Sequence, residues 1–123
     1  MSNLTTITNT NDTIAYAGAT NWGLGAVVGT GSGKIFGSLA EFYFAPNQYL
    51  DFSNIYNRRK FISSTGKPVF LGSSGALPTG TSPIIYNHIN KAEAAANFAL
   101  NRGTGGNFTI TGILDTASTS PSD

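Results

Sequence analysis

The sequence predicts a mainly β protein, an antiparallel β-sandwich with one or two short helices. Three observations point there. Apolar stretches are short and rich in the β-branched and aromatic residues that favour strands. The 15 glycines and 5 prolines are spread along the chain, so they punctuate many turns. At 123 residues, 40% of them hydrophobic, the chain has room for one domain with one modest core.

The elements follow in order. Residues 1–13 are rich in Thr and Asn and read as a polar arm. The β-sandwich domain is expected over 14–114, and 115–123 read as a polar tail. Within the domain, 14–28 fit two short strands turning between Ala17 and Asn21. The GTGSG of 29–33 is a loop. The clearest strand is 39–45, with Leu39, Glu41, Tyr43 and Ala45 on one face and Ala40, Phe42 and Phe44 on the other. Both faces carry aromatics, which suits a strand inside a sandwich or against a partner. Pro46 ends it.

Residues 47–52 read as a second extended piece. Ser53 is positioned to cap a brief helix over 54–62, with Ile55, Arg58, Arg59 and Ile62 on adjoining turns. Residues 63–83 are mostly turn residues around Val69, Phe70 and Leu71. IIYNHI (84–89) reads as a strand. NKAEAAANFAL (90–100) is the strongest helix signal, with Asn90 as cap and Glu93 at the third helical position. The glycines of 101–106 stop it, and NFTITGIL (107–114) predicts a last strand.

Charge narrows the function. Only 11% of residues are charged and the formal net charge is +1, so there is no electrostatic footprint for nucleic acid or an anionic membrane. A surface of Ser, Thr, Asn and Gly suits lasting contact with protein, because few ions must be desolvated. No cysteine is present, which excludes disulfides and thiolate metal ligands. The first residues have no basic-then-apolar pattern of a signal peptide, and no apolar run approaches the ~18 residues of a membrane span.

Catalytic patterns are missing, and no enzymatic activity or cofactor is expected. GTGSGK resembles a phosphate loop only in part. Val28 stands where that motif needs glycine, and Ile35 where it needs Ser or Thr. His88 is the lone histidine, so it can assemble neither a metal site nor a serine triad with a recognisable motif. Glu41 and Asp51 are the one carboxylate pair on neighbouring strong elements. An ion pair of Glu41 with Arg58 or Arg59 explains that strand carboxylate more simply. Asn3, Asn11 and Asn107 begin N-x-T sequons, which matter only on a glycosylating route.

Binding residues are easier to nominate. Phe42, Phe44 and Tyr49 are candidates for apolar contact with another protein, and Arg58 and Arg59 for charged contact. Trp22, Tyr43, Tyr56 and Tyr86 are candidates for stacking on sugar rings, although aromatics in a β-domain more often serve the core.

Several stretches in fixed order carry a family resemblance. They are GSLAEFYFAPNQYLDFS (37–53), NRRKFISSTGKPVFLGSSGALPTGTSPIIY (57–86), NRGTGGNFTITG (101–112) and STSPSD (118–123). From Gly37 to Asp123 the chain resembles the C-terminal portion of the LamG-like, concanavalin-A-like domains of structural proteins in tailed phages and prophages. The order and spacing of the motifs are specific as a set, and each alone is weak.

The resemblance implies a truncated jelly-roll sandwich and a non-enzymatic place in the virion, reached by assembly in the host cytoplasm. The expected partners are other virion proteins of capsid or tail, with a homo-oligomer and possible glycans, and neither nucleic acid nor membrane. Such domains often bind glycans and some hold calcium. No cluster of carboxylates here matches a calcium site, so no metal is carried over. A complete domain of this kind needs more strands than residues 1–36 supply. Neighbouring chains are therefore expected to complete the sandwich, because an open one leaves strand edges bare.

Overall fold

A computed structural model of the chain describes residues 21–90 and 92–119. The arm at 1–13, the first of the two strands expected within 14–28, and the end of the polar tail lie outside the described residues. The chain divides into two compact units, Met1–Ile35 and Phe36–Asp123. The second unit begins one residue before the stretch that carries the resemblance.

The described part of the first unit is a loop closed on itself. Val27 N–H donates to Ser32 O (2.9 Å), Gly31 N–H to Val27 O (2.9 Å) and Ile35 N–H to Gly25 O (2.8 Å). Gly29 and Gly31 sit at φ 84° and 64°, a left-handed backbone that side chains resist. The GTGSG stretch is thus a turn, and no strand forms among residues 21–35.

The second unit carries the regular structure: strand β1 (Glu41–Phe44), helix α1 (Ile55–Arg59), strand β2 (Ile85–His88) and a 3-10 helix (Ala95–Ala99). The two strands form one antiparallel sheet, with Glu41 opposite His88, Phe42 opposite Asn87, Tyr43 opposite Tyr86 and Phe44 opposite Ile85. Isolated bridges join Ile62 to Pro68 and Asn87 to Asn101.

The mainly β expectation therefore holds only in its coarse form, a small antiparallel sheet with few helices. No second sheet lies over the first among the described residues. The strand expected at 107–114 does not form. Phe108 N–H donates to Ala99 O (2.9 Å), but Ile113 is 94% exposed and nothing pairs with the segment as a ladder. Turns close both ends of the expected extended piece at 47–52, and no ladder forms between them: Gln48 N–H donates to Ala45 O (3.1 Å) and Asn54 N–H to Asp51 O (3.2 Å).

The two helices are shorter than their sequence signals. In α1 the cap is Asn54, one residue beyond the expected Ser53, and its side chain accepts from Tyr56 N–H (2.9 Å). Asx side chains do this readily because the carboxamide oxygen reaches the free N–H groups of the first turn. In the 90–100 segment Asn90 does not cap a helix: its N–H and side chain donate to Glu93 Oε1 (3.1 and 2.9 Å) in a turn, and the helix starts later, at an Ala94 cap without a side-chain bond. The helix beyond it tightens to 3-10 over Ala95–Ala99.

The core is small. Leu71, Ile85 and Tyr86 are the buried apolar side chains among the described residues, with Pro83 and Asn87 buried beside them. An edge-to-face row of rings extends it, running Phe52–Phe61–Tyr43–Tyr86 with centroids 5.6, 5.5 and 6.2 Å apart. Such contacts add roughly 0.5–1.5 kcal/mol per pair beyond area burial. The loop after the 3-10 helix packs tightly on this core. A Cβ at Gly103 would lie 2.5 Å from Pro83 O and 2.8 Å from Ile84 O, so only glycine fits there.

Candidate functional site

Two arrangements gather the chemistry of the second unit. The first lies on the face of the sheet. Opposite positions on β1 and β2 bring Glu41 Oε1 within 2.9 Å of His88 Nδ1. The His88 ring stacks on Tyr86 at 5.8 Å, nearly parallel, and Phe70 packs against it at 5.7 Å. Arg102 Nε donates to His88 O (2.8 Å), while its Nη2 donates to Glu93 Oε2 (3.0 Å). Glu93 is held below the usual carboxylate range, first by the Asn90 backbone N–H and then by Arg102.

The expectation that Glu41 pairs with Arg58 or Arg59 is thus corrected: its partner is His88, directly across the sheet. Register decides this, because cross-strand neighbours lie only about 5 Å apart. His88 Nε2 is buried without a hydrogen-bond partner among the described residues. A proton shuttle must reach a substrate proton. Here the ring packs against Tyr86 and Phe70, and with Glu41 it joins the two strands across the sheet.

The second arrangement is a pocket of about 430 Å³ beside the end of β1, lined by residues that include Tyr43, Gln48, Tyr49, Phe52, Phe61 and Thr79. Gln48 latches it. Its Oε1 accepts from Tyr43 Oη (2.9 Å) and Thr79 Oγ1 (2.8 Å), and its Nε2 donates to Thr81 O (3.0 Å) and Ser82 O (3.3 Å). The amide is fully engaged, so the pocket presents mainly ring surface. Burial raises the Tyr43 hydroxyl above its ordinary pKa, partly offset by the Thr79 side chain.

The residues nominated from sequence divide between these places. Phe42 and Phe44 are half-buried on β1. Tyr49 lines the pocket and is 89% exposed. Arg58 and Arg59 are exposed but turn back on their own backbone: Arg58 donates to the Phe52 and Ser53 carbonyls and Arg59 to the Ser63 carbonyl. Lys60, beside them, donates to Pro78 O (2.7 Å). Each of the three cations thus satisfies carbonyls of the turns that flank the short helix or pack near it.

Of the stacking candidates, Tyr86 is overturned: it is 0% exposed and offers no ring face to a ligand. Tyr43 is held edge-on between Phe61 and Tyr86, so it is a core residue first. Tyr56 on α1 is 78% exposed, and Trp22, in the other unit, is 48% exposed.

No family model, no curated protein and no solved structure matches the chain.

Sequence reasoning missed Gln48, Asn101 and Arg102. Asn101 Oδ1 accepts from Tyr86 N–H (2.9 Å) and Gly103 N–H (2.9 Å), and its Nδ2 donates to Ile84 O (2.9 Å). This carboxamide, with the Arg102 N–H that donates to Tyr86 O (2.8 Å), ties the outer side of β2 at its bridge to Asn101. The glycine cluster after it was the available signal, since Gly103 and Gly105 are where backbone crowds backbone. Gln48 carries no such mark. Among the described residues no group of three metal-ligating side chains occurs, and no helix is long and apolar enough to cross a membrane.

Proposed function

We propose that this chain is a non-enzymatic structural protein of a tailed-phage virion, a decoration or accessory protein bound to the particle surface. The observation that carries the reading is the imbalance between core and surface in the second unit. Among the described residues three apolar side chains are buried there, while Phe36, Tyr49, Phe52, Ile55, Phe70 and Leu77 stand exposed. Surfaces rich in exposed apolar residues mark contact sites. The low charge agrees, because such a surface is desolvated cheaply.

In this reading the two-stranded sheet is the part of a concanavalin-A-like sandwich that one chain supplies, and neighbours supply the rest. The mechanism is binding alone: Phe42, Phe44 and Tyr49 pack against neighbours, and identical copies form an oligomer on capsid or tail. The resemblance of Gly37–Asp123 to phage structural proteins supports the choice of particle.

A second reading, glycan binding on a tail fibre or capsid, draws on the ring-lined pocket at Tyr49 and Phe52. Light scattering of the purified chain, with and without phage shells lacking it, separates the two. A closed oligomer that binds shells is the expected result. A monomer that ignores shells and binds on a glycan array overturns the first reading in favour of the second.

A further inference from the structure

The hydrogen bonds of Tyr86 decide which way the backbone of β1 points. Tyr86 N–H donates to Asn101 Oδ1 (2.9 Å) and Tyr86 O accepts from Arg102 N–H (2.8 Å), so both groups face away from β1. Opposed residues of an antiparallel pair alternate between exchanging both bonds and exchanging none. Tyr43 opposite Tyr86 is therefore a non-bonded pair, and so is Glu41 opposite His88. The ladder runs through Phe42 with Asn87 and Phe44 with Ile85. The N–H and C=O groups of Glu41 and Tyr43 consequently point to the outer edge of the sheet. No described residue bonds to them there.

Strand edges of this kind recruit other chains unless something blunts them. β1 is only four residues long, which limits the edge, but it contains neither Lys nor Pro to block pairing, and the carboxylate of Glu41 is tied to His88 on the sheet face.

We propose that this edge pairs with β1 of a second copy, antiparallel about a two-fold axis at Phe42, joining two two-stranded sheets into one. This rests on the reading of the chain as an oligomer and is independent of which particle carries it. The register follows from the backbone directions. An axis at Phe42 sets each Glu41 against Tyr43 of the second copy, and every outward group finds a partner. An axis at Glu41 puts two carboxylate residues directly opposite, which repels. An axis at Tyr43 asks Ala45 to join the ladder, yet Ala45 O already accepts from Gln48 N–H. An axis between residues sets an outward group against an inward one, and no ladder forms.

At the axis the two Phe42 residues form a non-bonded pair, the closer kind, with Cα atoms about 4.5 Å apart. That spacing suits a disulfide. The chain has no native cysteine, so an introduced thiol is unambiguous. Under mild oxidation Phe42→Cys should cross-link to a dimer about a hundredfold faster than Thr65→Cys in an exposed turn, because paired strands hold their thiols at roughly millimolar effective concentration. Ala40→Cys and Phe44→Cys should each stay largely unlinked alone and form the mixed dimer when combined. This second arm reports the register even if Phe42→Cys folds poorly by circular dichroism. The inference is overturned if Phe42→Cys links no faster than Thr65→Cys, or if the mixture gives no heterodimer. Shell binding by a chain that fails both arms would leave the virion reading standing and remove only this interface.

Discussion

At position 86 a phenol is buried in a site that serves its ring better than its hydroxyl. The ring touches Tyr43 and His88, whereas the hydroxyl lies beside the Leu71 backbone, too loosely for a well-formed hydrogen bond. Burial, then the negative charge of Glu41, pushes its pKa up to about 12. The sign follows directly. The folded state favours the neutral phenol, so the stabilisation is complete below the ordinary pKa of 10.0 and is lost as pH rises through about 12. Alkaline unfolding is expected in that window, with tyrosinate absorbance rising as circular dichroism falls. Tyr86→Phe keeps the ring and removes the ionisation, so its transition should move to higher pH. An unchanged midpoint would show that another group governs the alkaline limit.

Among the elements, α1 shows how much a short helix depends on its ends. Five residues make too few internal bonds to hold a helix in water. Asn54 satisfies the first turn, and Arg58 returns to the Phe52 and Ser53 carbonyls that precede it. The Ser53 hydroxyl and N–H, and to a smaller extent the same arginine, keep Asp51 below its usual range. Asn54→Ala should therefore cost about 1 kcal/mol in urea unfolding, within the usual range for a lost cap. A cost near zero would mean that tertiary contacts alone hold the helix.

For the whole molecule, the question is what stabilises a unit with so small a core. A single isolated pair of strands is marginal in water. Asn101, Gln48 and the ring row add to it, but they leave much apolar surface outside. If copies associate, dilution removes part of the fold's support. The melting temperature should then rise by about 2–5 °C for each tenfold increase in protein concentration, as mass action and the entropy of unfolding at this size suggest. A melting temperature independent of concentration would show that each chain closes its own core.

Much of the element order is legible in the residues alone. Alternation places β1 and β2 within a residue or two, and the Asn90–Glu93 contact expected from their spacing forms, although the helix itself begins only at Ala95. These features are local: they depend on side-chain period and on groups three residues apart. The binding candidates on β1 and at Tyr49 are legible as aromatic residues, but their exposure is not. Tyr43 and Tyr86 belong to the core, and Tyr49 and Tyr56 to the surface, although composition treats all of them alike.

The sequence by itself determined the low charge, the absence of cysteine, the turn-rich character and the positions of the two strands that form, because each follows from residue type or near-neighbour spacing. The tertiary structure alone decided that Glu41 meets His88 and not an arginine, that Asn101 and Arg102 tie the outer side of β2, and that residues 107–114 find no sheet. The physical reason is the same each time. Partners separated by long stretches of chain are chosen by register and by the need to satisfy buried backbone groups, and neither is written in any single segment.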